Sequence, residues 1–399
     1  MTSATPEQAP ARSPWLVVLL PTVMAVTVFA GPSLGILSRF IIDDLGISRT
    51  QLGLVVSGGG LAGAVLGPYA GRYADRVGGK ITLVVVFAAT AAGLAAVASS
   101  PTYPFLIVAM AITGMAQSGS NPATNKLISL HFPAGKRGLV TGVKQSGVQI
   151  GIFVGGITLP ATALAFNWRF AIATWSVIAL IGLAGTLLVV PPDPTGEGAD
   201  AGVSSTQARI GDVRWLAAGG LLNGAVVGSV LTYIPLYAQE AAGFSVSMAG
   251  GVASAFALAG LISRLIWSRY SEVSSHYSKP LSMVALLSTA GTALLWMAPT
   301  VGFWLLWVGA MVVGTAQAWN AIAMLAVISG VPHSSAGWAS GMVAMGFGLG
   351  IASGPAAFGF LADSPGGYGA SFGMLTAVGV LAFIVMITWG RKEASAGRA

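Results

Sequence analysis

Runs of about twenty apolar residues follow one another from Trp15 nearly to the end of the chain, and each is long enough to cross a bilayer core. Twelve such spans are predicted, at 15–38, 49–70, 81–99, 103–128, 138–160, 169–190, 214–238, 246–268, 280–298, 301–329, 337–360 and 370–390. Only 8% of the residues are charged, against about 25% in a soluble domain. A membrane barrel would alternate polar and apolar residues along short strands. These runs do not alternate, and the chain's 55 glycines suit close helix packing in lipid. The fold class is therefore an all-α, multi-pass membrane protein. The first run lacks a convincing cleavage site and leads into more spans, so it reads as a membrane helix and not as a signal peptide.

The chain also repeats itself. Gly71-Arg-Tyr-Ala-Asp75 has a near-copy 197 positions later, Ser268-Arg-Tyr-Ser-Glu272, and upstream Gly53, Ser57 and Gly63 face Gly250, Ser254 and Gly260 at the same offset. A second block repeats at offset 199, with Gly138, Gly142, Gly147 and Gly151 facing Gly337, Gly341, Gly346 and Gly350. Two blocks at nearly one offset predict two similar halves of six helices each: 1–190 and 214–399, joined by the Pro-, Gly-, Ala- and Ser-rich linker 191–213. In a membrane protein, parallel halves point to a transporter with its site between them.

Lys and Arg set the orientation. With the amino terminus inside, thirteen fall in inner segments and only Arg39, Arg49 and Arg169 fall outside. This positive-inside bias predicts a cell (inner or plasma) membrane protein with both termini cytoplasmic. The net charge of +7 is spread over short loops and forms no patch for nucleic acid. With no cysteine, disulfides and thiol chemistry are excluded. No deep acid–base pair or metal cluster is apparent, so neither an enzyme nor a cofactor is expected.

The stretch Gly71-Arg-Tyr-Ala-Asp75-Arg76-Val-Gly78-Gly79-Lys80 resembles the signature loop between helices 2 and 3 of the major facilitator superfamily. Gly71, Asp75, Arg76, Gly78 and Lys80 match, and Gly79 stands where the family often has Arg. With twelve spans in two halves, the resemblance covers nearly the whole chain. It implies two six-helix bundles around a central cavity opened alternately to each side. It also implies gating roles. Asp75 would hold the start of helix 11 near Ala336–Trp338, and its twin Glu272 the start of helix 5 near Arg137–Leu139. A carboxylate accepts favourably from free amides at a helix amino terminus. Such latches would favour the outward-open state. The alternative is a solvated turn that only sets topology.

Glycines recur every fourth residue: Gly59, Gly63, Gly67 and Gly71 in span 2, Gly147, Gly151 and Gly155 in span 5, and Gly346, Gly350 and Gly354 in span 11. These rows read as helix-packing faces. Gly58 to Gly63 formally matches a dinucleotide loop and Gly31 to Gly35 a hydrolase elbow. Both patterns need a preceding strand, which an apolar helix does not supply. Gly354-Pro355 resembles the Gly-Pro motif of drug antiporters, but that motif belongs in helix 5, where this chain has Gly155-Gly156.

Two cations lie within spans, Lys144 and Arg264, with Lys126 near the end of span 4, while every Asp and Glu falls in a tail, a loop or at a span end. Buried cations usually face a cavity, and arginine's fork suits a carboxylate or similar oxyanion. The context Gly260-Leu-Ile-Ser-Arg264 resembles helix 8 of monocarboxylate, oxalate–formate and nitrate–nitrite porters, where a mid-helix Arg binds the anion. Gly142-Val-Lys144-Gln145-Ser-Gly147 looks, more loosely, like helix 5 of cyanate- and nitrate-type porters. The competing reading is snorkelling of Arg264 or Lys144 to the cytoplasmic interface. Asn121, Gln145 and Tyr233 are candidate substrate contacts, with Gln117, Asn125, Gln149, Asn223, Tyr237, Gln317 and Asn320 as further polar residues that could equally be interhelical ties. The expected function is alternating-access transport of a small solute, a monocarboxylate-like or inorganic anion, whose partners are the bilayer and a coupling proton or counter-anion. Efflux of drugs or other metabolites is the rival reading.

Overall fold

The computed structural model describes residues 14–192, 210–273, 277–330 and 336–396, so most of the linker 191–213 lies outside the described residues. Every element among the described residues is helical. Helix α1 is built of three pieces, Pro14–Thr27, Ala30–Ile36 and Ser38–Leu45, and the first two meet at 55°. Pro32 lacks the amide that would close on residue 28, which accounts for a break there. Then follow α2 (Arg49–Val77), α3 (Gly79–Ala98), α4 (Tyr103–His131), α5 (Ala134–Ala165), α6 (Trp168–Val189), α7 (Ile210–Glu240), α8 (Val246–Val273) and α9 (Ser278–Val301). Helix α10 comprises Leu305–Gly314, a 3-10 turn at Thr315–Ala318 and Trp319–Gly330; α11 is Ala336–Ala362 and α12 is Gly367–Ala396.

Ten of these helices are long and apolar enough to cross a membrane, and the bent α1 pair makes an eleventh. Helix α4 is equally long, at 29 residues, but Gln117, Asn121, Asn125 and Lys126 lower its apolar character. It packs between α2, α3 and the bundle interior as the other spans do.

The segment read as a loop at 71–80 is almost entirely helix. Helix α2 runs to Val77 and α3 begins at Gly79, so Gly71, Asp75 and Arg76 are helical and the reversal is made by Gly78 alone. Its φ of +97° is open to glycine and hostile to other residues. Lys126 of α4 donates to the carbonyls of Ala74 (2.9 Å), which also accepts from the Gly78 amide, and Asp75 (2.8 Å), in the last turn of α2.

The internal repeat is visible in the packing. A side chain at Gly147 of α5 would collide with the backbone of α1 at Pro21, one at Gly151 would press tightly on Ala25, and Gly155 faces Phe29. Side chains at Gly346, Gly350 and Gly354 of α11 would collide with the backbone of α7 at Ala217, Leu221 and Ala225. Each glycine row thus brings two helices into backbone contact, and the partner residues keep a constant offset between the halves. Gly59 and Gly63 of α2 pack on α4 in the same way, at Met110 and Gly114.

The helices from the two halves meet tightly at one end. Gly53 lies on Pro355, Gly60 on Ala352, and Gly156 on Gly250 and Ser254; Ser254 donates to the Phe153 carbonyl at 2.9 Å. Toward the other end, added side chains at Gly67, Gly71, Gly142, Gly341 and Gly348 meet nothing within 4 Å among the described residues. The molecule is closed at the Arg49 end and open toward the Gly78 end.

Candidate functional site

Between the halves lies a cavity of about 160 Å³, lined from one half by Gly60, Met110, Gln117 and Gln149 and from the other by Arg264, Gln317, Phe347 and Ile351. Thr27, Thr113 and Thr232 also line it, but their hydroxyls donate to the carbonyls of Val23, Met110 and Gly228 on their own helices. They therefore present methyl groups inward. The polar surface reduces to one guanidinium and three primary amides.

Arg264 does not snorkel. Its Nη1 reaches across the halves toward the Gln145 carbonyl of α5 at 3.5 Å. With the Gln149 amide oriented so that its oxygen faces the guanidinium, that oxygen accepts from Nη2 at 3.1 Å while the nitrogen donates to the Gln145 carbonyl. Arg264 Nε is buried with no partner among the described residues. Among the described residues no carboxylate or histidine lines the cavity and no ion pair involves Arg264.

The placement of Gln317 depends on a feature the sequence did not announce, the 3-10 turn in α10. Two carbonyls of this turn take donors from side chains of neighbouring helices. Asn223 donates to Ala316 O at 3.0 Å and Ser263 to Thr315 O at 3.1 Å. Asn223 is thus a structural tie. Gln317 itself donates to the Phe256 carbonyl at 3.2 Å and lies 3.0 Å from the Gln149 amide across the cavity. Gln117 has no side-chain hydrogen bond among the described residues and faces the open space.

Lys144 also avoids the interface, but it does not line the cavity. It is fully buried, and its ammonium donates to Asn121 Oδ1 at 3.0 Å and Asn125 Oδ1 at 2.7 Å. Gln145 donates to the same Asn121 oxygen at 3.1 Å. Arg264, Gln145, Asn121 and Lys144 therefore form one connected chain of polar contacts, in which only Arg264 reaches the cavity.

Tyr233 is displaced from the expected substrate site. It is fully buried near the closed end, where its hydroxyl donates to the Arg49 carbonyl and its ring stacks on Phe358. Tyr237 likewise donates away from the cavity, to Leu295 O at 3.1 Å. Helical periodicity alone cannot tell a tyrosine facing the cavity from one sealing its end, because both faces are buried.

The closed end is held by charge. Arg49 binds Glu240 Oε2 at 2.8 Å and Asp363 Oδ1 at 3.3 Å, and Tyr368 donates to the same Glu240 oxygen at 2.6 Å. Asp363 also accepts from the Thr50 amide (2.7 Å), the Thr50 hydroxyl (2.6 Å) and the Arg49 amide (3.3 Å). Ser48 and Gln51 form a capping box at the same helix start, so the first-turn donors of α2 are satisfied partly by its own half and partly by the other. Burial alone would raise the Asp363 pKa, but the Thr50 and Arg49 hydrogen bonds outweigh it and hold the carboxyl below its ordinary range. The other arginines at this end pair within their own half, Arg39 with Asp43 at 3.9 Å and Arg169 with Asp44 at 2.6 Å.

At the open end, the side chains of Glu272 and Trp338 lie outside the described residues, so the Glu272 latch has no structural account. Asp75 is exposed, and its described contact is through its main-chain carbonyl to Lys126. Lys80 donates to the Leu187 carbonyl at 3.3 Å, tying the start of α3 to the end of α6.

Residues 18–337 match the family model described as Major Facilitator Superfamily. The chain is 25% identical over 403 residues to the "Probable sulfoacetate transporter SauU" of Cupriavidus necator, covering 88% of each. It is 32% identical over 149 residues to the "Hexuronate transporter" of Bacillus subtilis, covering 37% of this chain and 35% of that one. It is 29% identical over 154 residues to the "4-hydroxybenzoate transporter PcaK" of Acinetobacter baylyi, covering 37% and 33%. The hexuronate and 4-hydroxybenzoate alignments span only about a third of those relatives' length. Among solved structures, a bacterial homolog of the human lysosomal transporter Spinster, inward-facing and occupied, superposes with a TM-score of 0.75 at 13% identity over 98% of both chains. The nucleoside transporter NupG superposes at 0.72 with 17% identity, over 94% of this chain and 98% of that one. The chain belongs to the Major Facilitator Superfamily.

Proposed function

We propose that the protein is a secondary transporter that carries a small organic monoanion across the cell membrane by alternating access. The observation that carries this reading is Arg264, a guanidinium in the central cavity whose buried Nε has no partner, and which has no carboxylate beside it, among the described residues. A buried cation without a counter-ion is costly, and an anionic substrate supplies the missing charge. The Arg264 fork would hold a carboxylate that takes the place of the Gln149 oxygen on Nη2, leaving Met110, Phe347 and Ile351 to cover an apolar body and Gln117 to meet a polar group at its far side. One cavity cation matches one substrate charge, because Lys144 is already enclosed by Asn121 and Asn125. The relatives named for hexuronate, sulfoacetate and 4-hydroxybenzoate all have anions in their names, which supports an anion as the class.

The positive-inside bias supports an orientation with the Gly78 end cytoplasmic and both termini inside. In that orientation the Arg49–Glu240–Asp363 seal closes the outer side and the cavity opens inward. Asp75, with Gly71, Arg76, Gly78 and Lys80 around it, would act in the opposite state, when α2 and α11 close at the inner end. Coupling would come from exchange against a second anion or from a proton carried with the substrate.

Counterflow in proteoliposomes tests this. Liposomes loaded with unlabelled monocarboxylate should take up the labelled acid with wild type and fail to do so with Arg264→Gln. Transport of a cationic drug, unchanged by Arg264→Gln, would sink the reading.

A further inference from the structure

We propose that the groove between α2, α3 and α4 at the Gly78 end is a binding site for an anionic phospholipid of the adjoining leaflet. Helices α2 and α3 diverge from the tight reversal at Gly78 while both pack on α4. They leave a trough of about 420 Å³ floored by Ile112, Met115 and Gly119. A second hollow of about 240 Å³ continues from it, lined by Tyr69, Arg72, Tyr73, Arg76 and Val77. Tyr69 and Tyr73 belong to both, so an apolar channel and a basic mouth form one continuous feature.

The groove faces lipid and not the transport cavity. Gly60 of α2 points at Ala352 of α11, and Gly59 and Gly63 point at α4. Tyr69 lies nine residues beyond Gly60, two and a half turns, which places it on the opposite side of the helix. Tyr69 is 60% exposed and Tyr73 42%, a large aromatic surface that suits the headgroup region of a bilayer. The depth agrees. Arg72 is 23 residues along α2 from Arg49, about 34 Å at 1.5 Å per residue, so the two arginines sit at opposite membrane interfaces.

Charge identifies the occupant. The Arg72 guanidinium lies over the Tyr69 ring at 4.8 Å, and its Nε donates weakly to the Pro68 carbonyl at 3.4 Å. No ion pair joins Arg72 or Arg76 to a carboxylate among the described residues. Asp75 falls on the neighbouring flank, turned toward α11 and away from the Tyr69 side. Two guanidiniums with free donors at the mouth of an apolar trough match a phosphodiester headgroup on acyl chains. The apolar trough gives no reason for a soluble phosphate to prefer this place.

Native mass spectrometry of delipidated protein in detergent tests the assignment. The arms are phosphatidylglycerol, phosphatidylcholine with the same chains, and glycerol phosphate alone. Wild type should retain phosphatidylglycerol at least about tenfold over phosphatidylcholine. Arg72→Gln/Arg76→Gln should abolish that preference by removing the charge. Ala89→Trp should lower retention of both lipids by filling the trough. A thermal melt of each variant verifies folding. Equal retention of the two lipids by wild type, retention unchanged in either variant, or displacement of the lipid by glycerol phosphate alone would each overturn the proposal.

Discussion

Neutralising Asp363 should shift the protein toward the state open at the Arg49 end. The Asp363 carboxylate accepts four hydrogen bonds from the first turn of α2, two from main-chain amides and two from the Arg49 and Thr50 side chains. Hydrogen bonds to a charged group are worth about 1.5–3 kcal/mol each when buried. The Asp363 side chain is 25% exposed, and an asparagine in its place would keep one acceptor oxygen, so the net loss in Asp363→Asn is about 1–2 kcal/mol. That changes the ratio of closed to open states about five- to thirtyfold. The chain contains no cysteine, so spin labels can be placed at Ala165→Cys and Ser247→Cys, exposed positions near the facing ends of α5 and α8. Electron–electron resonance should show a short distance in wild type and a longer population in Asp363→Asn. An unchanged distance distribution would refute the reasoning and leave the glycine contacts as the whole of the seal.

The same carboxylate predicts a pH response. Its pKa is held below the ordinary 3.8 in the closed state, so its contribution to closure is fully present above 3.8 and is lost as pH falls through the depressed value. The label distance should therefore stay constant from pH 8 to 5 and lengthen only in stronger acid. Lys144→Met should lower the melting temperature, because the Asn125 oxygen loses its donor, at about 1–3 kcal/mol, while the Asn121 oxygen keeps Gln145; an unchanged melt would show that water replaces the ammonium. Gly350→Leu should prevent folding, since even a Cβ at Gly350 collides with the Leu221 carbonyl, whereas Gly67→Leu, in open space, should fold. Equal expression of the two would contradict the packing account.

Much of this architecture was legible before the structure, for physical reasons. Apolar runs mark spans because lipid leaves the backbone few alternatives to a helix, and the glycine rows mark helix pairs because only they permit backbone contact. The lone cations were legible for the same reason, as charge in a span stands out. What was not legible depends on direction and on breaks. Nothing in the pattern around Thr315–Ala318 distinguishes a 3-10 turn from a continuous helix, so the placing of Gln317 opposite Gln149 was hidden, although both had been marked as polar candidates. Tyr233 and Lys144 were assigned to the cavity on residue type, and the packing sends one to the seal and the other into an amide cage. Lys126 stood out only as a charge near the end of span 4, yet it ties α4 to the last turn of α2, a partnership 51 and 52 residues away in the chain. The reversal at Gly78 was obscured because charged residues signal the end of a span, not the end of a helix.

The most direct test of the Arg264 assignment is calorimetric binding of matched carboxylates and amides, such as 4-hydroxybenzoate against 4-hydroxybenzamide, to wild type and Arg264→Gln. The account predicts that wild type binds the carboxylate and discriminates against its neutral amide. It also predicts that Arg264→Gln weakens carboxylate binding by about 3 kcal/mol, roughly a hundredfold. Equal binding of the amide by wild type, or undiminished carboxylate binding by Arg264→Gln, would contradict it.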